Sequence, residues 1–498
     1  MNENDLLDNL KNPLWRLSNL YWIIDKHGSK VKFQPNEPQA HFLRNLHYQN
    51  LILKARQRGF STLIQLVMLD ACVFNKNTKA GVIAHNVDDA RIMFRDKIKY
   101  AYDNLPSEII KEVTAVGDSA TELVLSNGSN LRVGTSMRSG TLQYLHVSEF
   151  GKICAKYPDK AREIVTGAIP SVQAGNYLFI ESTAEGRDGY FYEMSQTAEA
   201  RIKSDKRLNP LEIKFHFYSW WDADEYELDA EGAVITDKDN DYFNAIEIKI
   251  GRRITERKRA WYVMQRSKLG QEDMMREYPS IPEEAFSVSI EGCYYSQQLM
   301  LARSEKRIGN FNYVPNLPVN TFWDIGQNDE TSIWFHQRVN SENRFIRFYE
   351  HSGESFSHFV TKMQSYGYTF GKHFLPHDAT HKRQLGLINQ SSQEMLEDLG
   401  LKNIIIVPRI TSTITGINKV RDIFNSCTFN ESNTHDGIIH LESYRKEWDD
   451  RNGCWRDTPR HDVHSNGADS FRQFAQGYEN NSNDWGGTKL NYPSLGKF

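Results

Sequence analysis

Short apolar runs alternate with stretches of helical periodicity along the N-terminal half of the chain. Leu51 to Leu53 read as the end of a buried strand, KARQRGFS as a turn-forming loop, and Thr62 onward as an apolar helix. Residues 77 to 98 read strand, loop, helix, and residues 122 to 135 read as a hairpin turning at Asn127-Gly128. Tyr144 to Val147 form a short strand ending in Ser148 and Glu149; Tyr177 to Ile180 form another, with Ser182, Thr183 and Gly186 in the loop after it. The pattern predicts a doubly wound parallel α/β sheet with its active groups at the strand C-terminal ends. Residues 187 to 300 are mixed helices, and Pro279 and Pro282 put a domain junction near 285 to 318. Beyond it, residues 321 to 337 and 344 to 353 predict a three-strand meander that opens on Asp324. A further strand precedes Asp378, and a helix beginning near Ala468 carries Asp469.

Length and composition refine this picture. The 498 residues, 39% of them hydrophobic, suffice for two globular domains. No run of 18 or more apolar residues occurs, and MNENDLLDNLKNPLW lacks the regions of a secretory signal, so a soluble intracellular protein with no membrane partner is expected. Cys72, Cys154, Cys293, Cys427 and Cys454 show no zinc spacing and read as free thiols. With 60 Lys plus Arg against 64 Asp plus Glu, net charge -4, the chain is no globally basic duplex-coating protein; phosphate contact would be a matter of local grooves.

Strand, loop and helix N-terminus around residue 55 present backbone N–H groups to an anion. Gly59 and Ser61 fit the phosphate-loop pattern G-x-x-x-x-G-K-[ST], but Phe60 occupies the lysine position and Lys54 that of the first glycine. Lys54 is assigned to the β/γ-phosphates, with Arg56 as second candidate, and Ser61 or Thr62 to Mg²⁺. Taken alone, the segment also reads as a surface basic loop. Glu149, held at a strand end, suits polarisation of an attacking water. Ser148 stands where such an ATPase places aspartate, which implies Mg²⁺ held indirectly through water. Ser182 and Thr183 suit γ-phosphate sensing or are ordinary loop residues. Gln39, on the preceding helix, is placed to read an adenine edge. Arg138 is a nucleotide or DNA contact, or a plain surface arginine.

In the C-terminal half, Asp324, Asp378 and Asp469 would repel one another unless divalent cations neutralised them, which suits two Mg²⁺ or Mn²⁺ ions and phosphodiester cleavage. Asp462 is a further ligand or an outer hydrogen-bond partner. His377, His461 and His464 orient water, touch the scissile phosphate, or are polar loop residues. His381, Lys382 and Arg383 form a basic cluster suited to phosphate contact. Residues 250 to 270, with Arg252, Arg253, Arg257, Lys258, Arg259, Arg266 and Lys268, are a DNA- or neighbour-contacting face or a solvated one.

The order KARQRGFS, then a strand ending SE, then STAEG, followed by the three aspartates, resembles the large terminase subunit of tailed bacteriophages. The resemblance implies an ATPase domain of the ASCE/RecA-like class and an RNase-H-like nuclease domain. It matches Lys54 to a shifted phosphate-loop lysine, Glu149 to the catalytic glutamate, Ser182 and Thr183 to the coupling motif, and Gln39 to the adenine-binding glutamine. Asp324, Asp378 and Asp469 match the nuclease metal ligands. The implied domains are an arm (1–30), an ATPase core (31–200), a lid and linker region (201–300), a nuclease (310–480) and a flexible tail (481–498). Implied cofactors are ATP with Mg²⁺ and two nuclease cations. Implied partners are double-stranded DNA, a portal protein, a small terminase subunit and further copies in a pentameric ring, in the host cytoplasm and transiently at the procapsid portal vertex. The competing reading is a helicase or repair ATPase fused to a nuclease, and a third is a scaffold that has lost both sites.

Overall fold

A strand whose successive side chains are all apolar must be covered on both faces. Leu51 and Leu53 pack on one side of the first sheet with Ile83, Leu145, Val147, Leu178 and Ile180, while Ile52, Val82 and Phe179 pack on the other. A computed structural model describes residues 3–137, 140–187, 189–204, 207–286, 292–326, 330–385, 388–410, 412–449 and 454–478. Arg138, the Arg383 side chain and the tail from 479 lie outside the residues or side chains described. The chain divides into two units, Met1–Val288 and Ser289–Phe498, each an α/β body built on a mixed sheet. Among the described residues no helix is long and apolar enough to cross a membrane.

The first unit has strands β1 (Gln49–Lys54), β2 (Lys79–Ile83), β3 (Ala115–Asp118), β4 (Glu122–Leu125), β5 (Asn130–Gly134), β6 (Tyr144–Ser148), β7 (Tyr177–Ser182) and β8 (Ile213–Tyr218). Their order is β8-β1-β7-β6-β2-β5-β4-β3. Pairing is parallel from β8 to β5 and antiparallel from β5 to β3, so the expected parallel sheet carries an antiparallel edge. The β4–β5 hairpin turns where Asn127-Gly128 predicted, with Gly128 at φ 82°. On one face lie α1 (Pro13–Leu20), α2 (Glu37–Arg44) and α3 (Phe60–Phe74). Arg16 of α1 reaches Asp70 of α3 at 2.6 Å in the interior, and the Tyr21 hydroxyl donates to the same carboxylate at 3.0 Å. On the other face lies α4 (Phe150–Lys156).

After β8 the chain builds a small aromatic core of Trp220, Tyr226, Phe243 and Tyr262 from α5 (Asp237–Ile250) and α6 (Glu256–Leu269). The basic run on α6 is largely spent inside the unit. The Lys258 ammonium donates to the carbonyls of Trp221 and Ala223, Arg259 pairs with Glu247 at 2.9 Å, and Arg266 pairs with Asp239 at 2.5 Å. Arg252 and Arg257 lie 3.3 Å from Asp222 and Glu227.

The second unit has strands β9 (Ile308–Gly309), β10 (Val319–Asp324), β11 (Glu330–Val339), β12 (Glu342–Ser352), β13 (Phe370–Leu375), β14 (Ile404–Ile406) and β15 (Cys427–Asn430), in the order β9-β15-β12-β11-β10-β13-β14. The expected meander is β10–β11–β12, antiparallel throughout; the flanking pairs are parallel. Helices α7 (Thr413–Ile423), α8 (His435–Ser443) and α9 (Val463–Gly477) follow. Phe471 and Phe474 of α9 pack on Phe322, Trp334 and Phe345.

Two boundaries differ from the sequence expectation. Strand β7 runs through Glu181 and Ser182, where polarity suggested a loop, because neighbouring strands and α3 supply partners for both the backbone and the Glu181 carboxylate. Helix α9 starts at Val463 and not near Ala468, because the Asp462 side chain caps it, accepting from the His464 N–H at 3.0 Å.

Candidate functional site

Lys54 is the last residue of β1, and the chain then turns through Ala55–Gly59 into α3. Gln57 (φ 56°) and Gly59 (φ 72°) are both left-handed, which folds the loop back over the strand end; α3 begins at Gly59 with no side-chain cap on its first amides. Gln39 buttresses the loop: its Nε2 donates to the Gly59 carbonyl at 3.0 Å, and its Oε1 accepts from the Asn36 N–H as part of the α2 capping box. Both ends of the amide are thus engaged within the protein.

The Lys54 ammonium, 4% exposed, lies 3.3 Å from Glu149 Oε1 and 3.0 Å from Glu181 Oε2. Burial by itself would lower its pKa, but Glu149 and Glu181 more than reverse this and keep it charged. Glu181 is fully buried. The Ser61 and Ser148 hydroxyls each donate to its Oε1 at 2.7 Å, and His146 Nε2 lies 3.4 Å from the same oxygen. Burial would raise the Glu181 pKa; Lys54 first, then His146 and Ser61, pull it well below the usual carboxylate range. Glu149, at the turn from β6 into α4, holds φ 54° and ψ 44°, a conformation that costs a residue with a β-carbon about 1 kcal/mol or more. Lys152 stands 3.5 Å from its other oxygen. Lys97, on the π-helical turn Phe94–Lys99, is depressed by burial and by Lys54 while Glu181 and Glu149 oppose the shift.

Ser182 and Thr183 close the β7 side. Both are buried, and neither hydroxyl has a hydrogen-bond partner among the described residues. A β-carbon on Gly151 of α4 would lie 2.7 Å from the Thr183 carbonyl and 2.9 Å from Ser182 Oγ, so this segment and the helix after Glu149 are in close apposition. Arg56 points elsewhere, half exposed and 3.9 Å from Glu277. Ser61, not Thr62, brings its hydroxyl to Glu181.

In the second unit Asp324 ends β10, and Asp378 follows the parallel neighbour β13 in a short helical turn, His377–Thr380. Asp324 is the register partner of Ser332, whose hydroxyl contacts the Asn466 carbonyl and Ser470 of α9 at 2.8 Å. Asp469 lies on that same turn of α9, 3.2 Å from Arg472 and 3.3 Å from the Tyr444 hydroxyl. Burial raises the Asp469 pKa against Arg472 and Tyr444, and Arg472 is acted on by both Asp469 and Asp324. Among the described residues no three His, Cys, Asp or Glu side chains are grouped so as to hold an ion. Asp462 is occupied by the α9 cap and lies 3.5 Å from Arg460. His464 is buried against His440 at 3.1 Å, His461 contacts Ser465 at 3.0 Å, His377 lies beside His381, and Lys382 pairs with Glu394 at 3.3 Å.

No family model matches the chain, and no curated protein matches it. The likeness found is to phage large terminases. The large terminase of a thermophilic bacteriophage, in complex with ADP, is 12% identical, covering 86% of this chain and 94% of its own, at a TM-score of 0.31. The ATPase domain of the Thermus phage P74-26 large terminase is 15% identical over 50% of this chain and 94% of its own, at 0.33. The P22 large terminase nuclease domain is 16% identical over 35% of this chain and 89% of its own, at 0.27. Identities and scores this low transfer no chemistry, so the sites stand on their own geometry.

Three participants in the first site escaped the sequence reading. Glu181 sits directly after an apolar run and looks like the first loop residue. Lys97 and His146 sit in a helical stretch and a strand whose local patterns do not mark them. The one local signal was the acidic residue ahead of STAEG, between a buried strand and a glycine loop.

Proposed function

We propose that the chain is an ATP-driven DNA translocase with a metal-dependent endonuclease in its second unit, a protein of the large-terminase kind. One observation carries the reading: a buried lysine at a strand end, held between two carboxylates and next to the serine of a helix N-terminus. That arrangement suits a nucleotide's phosphates. Lys54 and the α3 amides would hold them, Ser61 would face the cation, and Glu149 would orient the attacking water. When bound, the cation neutralises phosphate charge; the chain's own residues position it and exclude solvent.

In the second unit, Asp324 and Asp469 both bear on Arg472, and Asp378 follows the adjacent strand. Carboxylates are the donor type divalent cations take, and on this reading such ions would supply an activated water and stabilise the leaving oxygen; among the described residues the three aspartates are not grouped around an ion-sized space. The fold of that unit, on this reading, is RNase-H-like. A portal protein, a small subunit, duplex DNA and a pentameric ring at the procapsid belong to the same proposal.

The test is separation of function in the full chain. Lys54→Ala and Glu149→Ala should each lower ATP turnover by on the order of 100-fold or more and leave Mn²⁺-dependent cleavage intact. Asp324→Ala and Asp469→Ala should do the reverse. Normal ATP turnover in Lys54→Ala would sink the phosphate-loop assignment, and undiminished cleavage in both aspartate variants would sink the nuclease assignment.

A further inference from the structure

At the end of β6 a nucleotide-handling sheet of this kind needs an acidic side chain near the cation, and residue 148 is serine. Across the parallel β6–β7 pair, the register partner of Ser148 is Glu181. Its Oε1 accepts the hydroxyl protons of both Ser148 and Ser61 at 2.7 Å, and its Oε2 lies 3.0 Å from Lys54. A serine hydroxyl has one proton and two lone pairs. When the Ser61 hydroxyl donates its hydrogen bond to Glu181, the lone pairs of Ser61 are left for another partner, the orientation a cation ligand requires. The two residues after Glu181, Ser182 and Thr183, are buried with hydroxyls that have no hydrogen-bond partner among the described residues.

We propose that Glu181 takes over the work of the carboxylate missing at position 148: it is the positioning residue that orients Ser61, and with it Lys54, toward a magnesium-bound nucleotide. This rests on the reading of the first unit as a nucleotide site. A purely structural Glu181 would only neutralise Lys54, and the two roles separate by experiment. A Glu181 that only neutralised Lys54 would change affinity with and without Mg²⁺ in the same direction and leave most of their ratio in place, whereas one that orients Ser61 would lower the Mg²⁺ effect itself.

The experiment titrates the full chain with a fluorescent ADP analogue, with MgCl₂ and with EDTA, and reads the ratio of the two affinities. Wild type should bind more tightly with Mg²⁺, by about tenfold on the scale usual for coupled ligands. In Glu181→Gln the ratio should fall to near one, and adding Ser148→Asp to that variant should restore most of it. An unchanged ratio in Glu181→Gln overturns the inference. If Glu181→Gln loses its cooperative melt, the exchange pair S148D/E181S, which keeps the number of carboxylates in the cluster unchanged, decides: a restored ratio supports the inference and a folded protein without Mg²⁺ dependence overturns it. Absence of nucleotide binding in wild type under both conditions would overturn the nucleotide reading itself and this inference with it, and differs visibly from the loss of the Mg²⁺ effect alone.

Discussion

At the scale of single residues, the buried Lys54, Glu181, Arg16 and Asp70 each meet oppositely charged partners, and buried groups without such a partner are informative. His336, fully buried on β11 among Phe322, Phe345 and Phe474, has Nε2 3.1 Å from the Asn343 amide oxygen. Burial lowers its pKa to about 3 despite that bond. The unfolded ring titrates near 6.5, so as pH falls the unfolded chain binds the proton first. Stability from this group is therefore intact above that value, is lost progressively below it, and is fully lost near pH 3. Between pH 7 and pH 4.5 the loss should be about 2 to 3 kcal/mol. Denaturant midpoints at the two pH values should converge by that amount in His336→Phe; an equal pH dependence in the variant would show that the proton goes elsewhere. The same logic makes Lys54 and Glu181 a mutually dependent pair, since removing either withdraws part of what offsets the other's desolvation and leaves Glu149 alone against Lys54, or the Ser61, Ser148 and His146 contacts alone against Glu181.

At the scale of elements, function depends on where strands end. Lys54, Ser148 and Ser182 are the last residues of β1, β6 and β7, and the parallel register brings these ends to one edge of the sheet. Helix α4 follows Glu149 and presses its Gly151 against the segment Ser182–Thr183. Gly151→Ala would put a methyl group 2.7 Å from a backbone oxygen, which cannot be accommodated by rotating a side chain. Urea denaturation should show a loss of about 1 to 3 kcal/mol, the usual range for overpacking. ATP turnover should fall with it, because the displaced element carries Glu149. Unchanged stability in this variant would mean that α4 and β7 can separate freely, and would remove the steric link between Glu149 and the Ser182–Thr183 segment.

At the scale of the whole molecule, the chain divides into Met1–Val288 and Ser289–Phe498, each with its own sheet and its own apolar clusters. A unit that buries its own core folds independently. Residues 289–498 expressed alone should therefore give a single cooperative thermal transition with a near-UV circular dichroism signal; a broad, non-cooperative melt would show that the division is only geometric. The basic stretch on α6 also belongs at this scale. Its charges mostly answer acids of the same unit, so substitutions at Arg259 or Arg266 should act first on folding.

By itself the sequence determined the local features: the alternation of apolar runs with helical stretches, the Asn127-Gly128 hairpin, the meander whose first strand carries Asp324, and the loop after Lys54 that joins a buried strand to an apolar helix. Each is encoded within a few residues, by side-chain period or turn chemistry, and needs no distant partner. Tertiary structure alone set Lys54 inside, between Glu149 and Glu181, and Arg56 outside beside Glu277, turned the Ser61 hydroxyl to Glu181, and buried Glu181 among them. Those placements depend on which strand ends become neighbours. The Lys54–Ser61 segment, Ser148 and Glu181 are three separate stretches of the chain and meet only through the β1–β7–β6 register. A buried carboxylate looks, to any local pattern, like the first polar residue of a loop; only the lysine and hydroxyls brought to it by other strands make its burial possible.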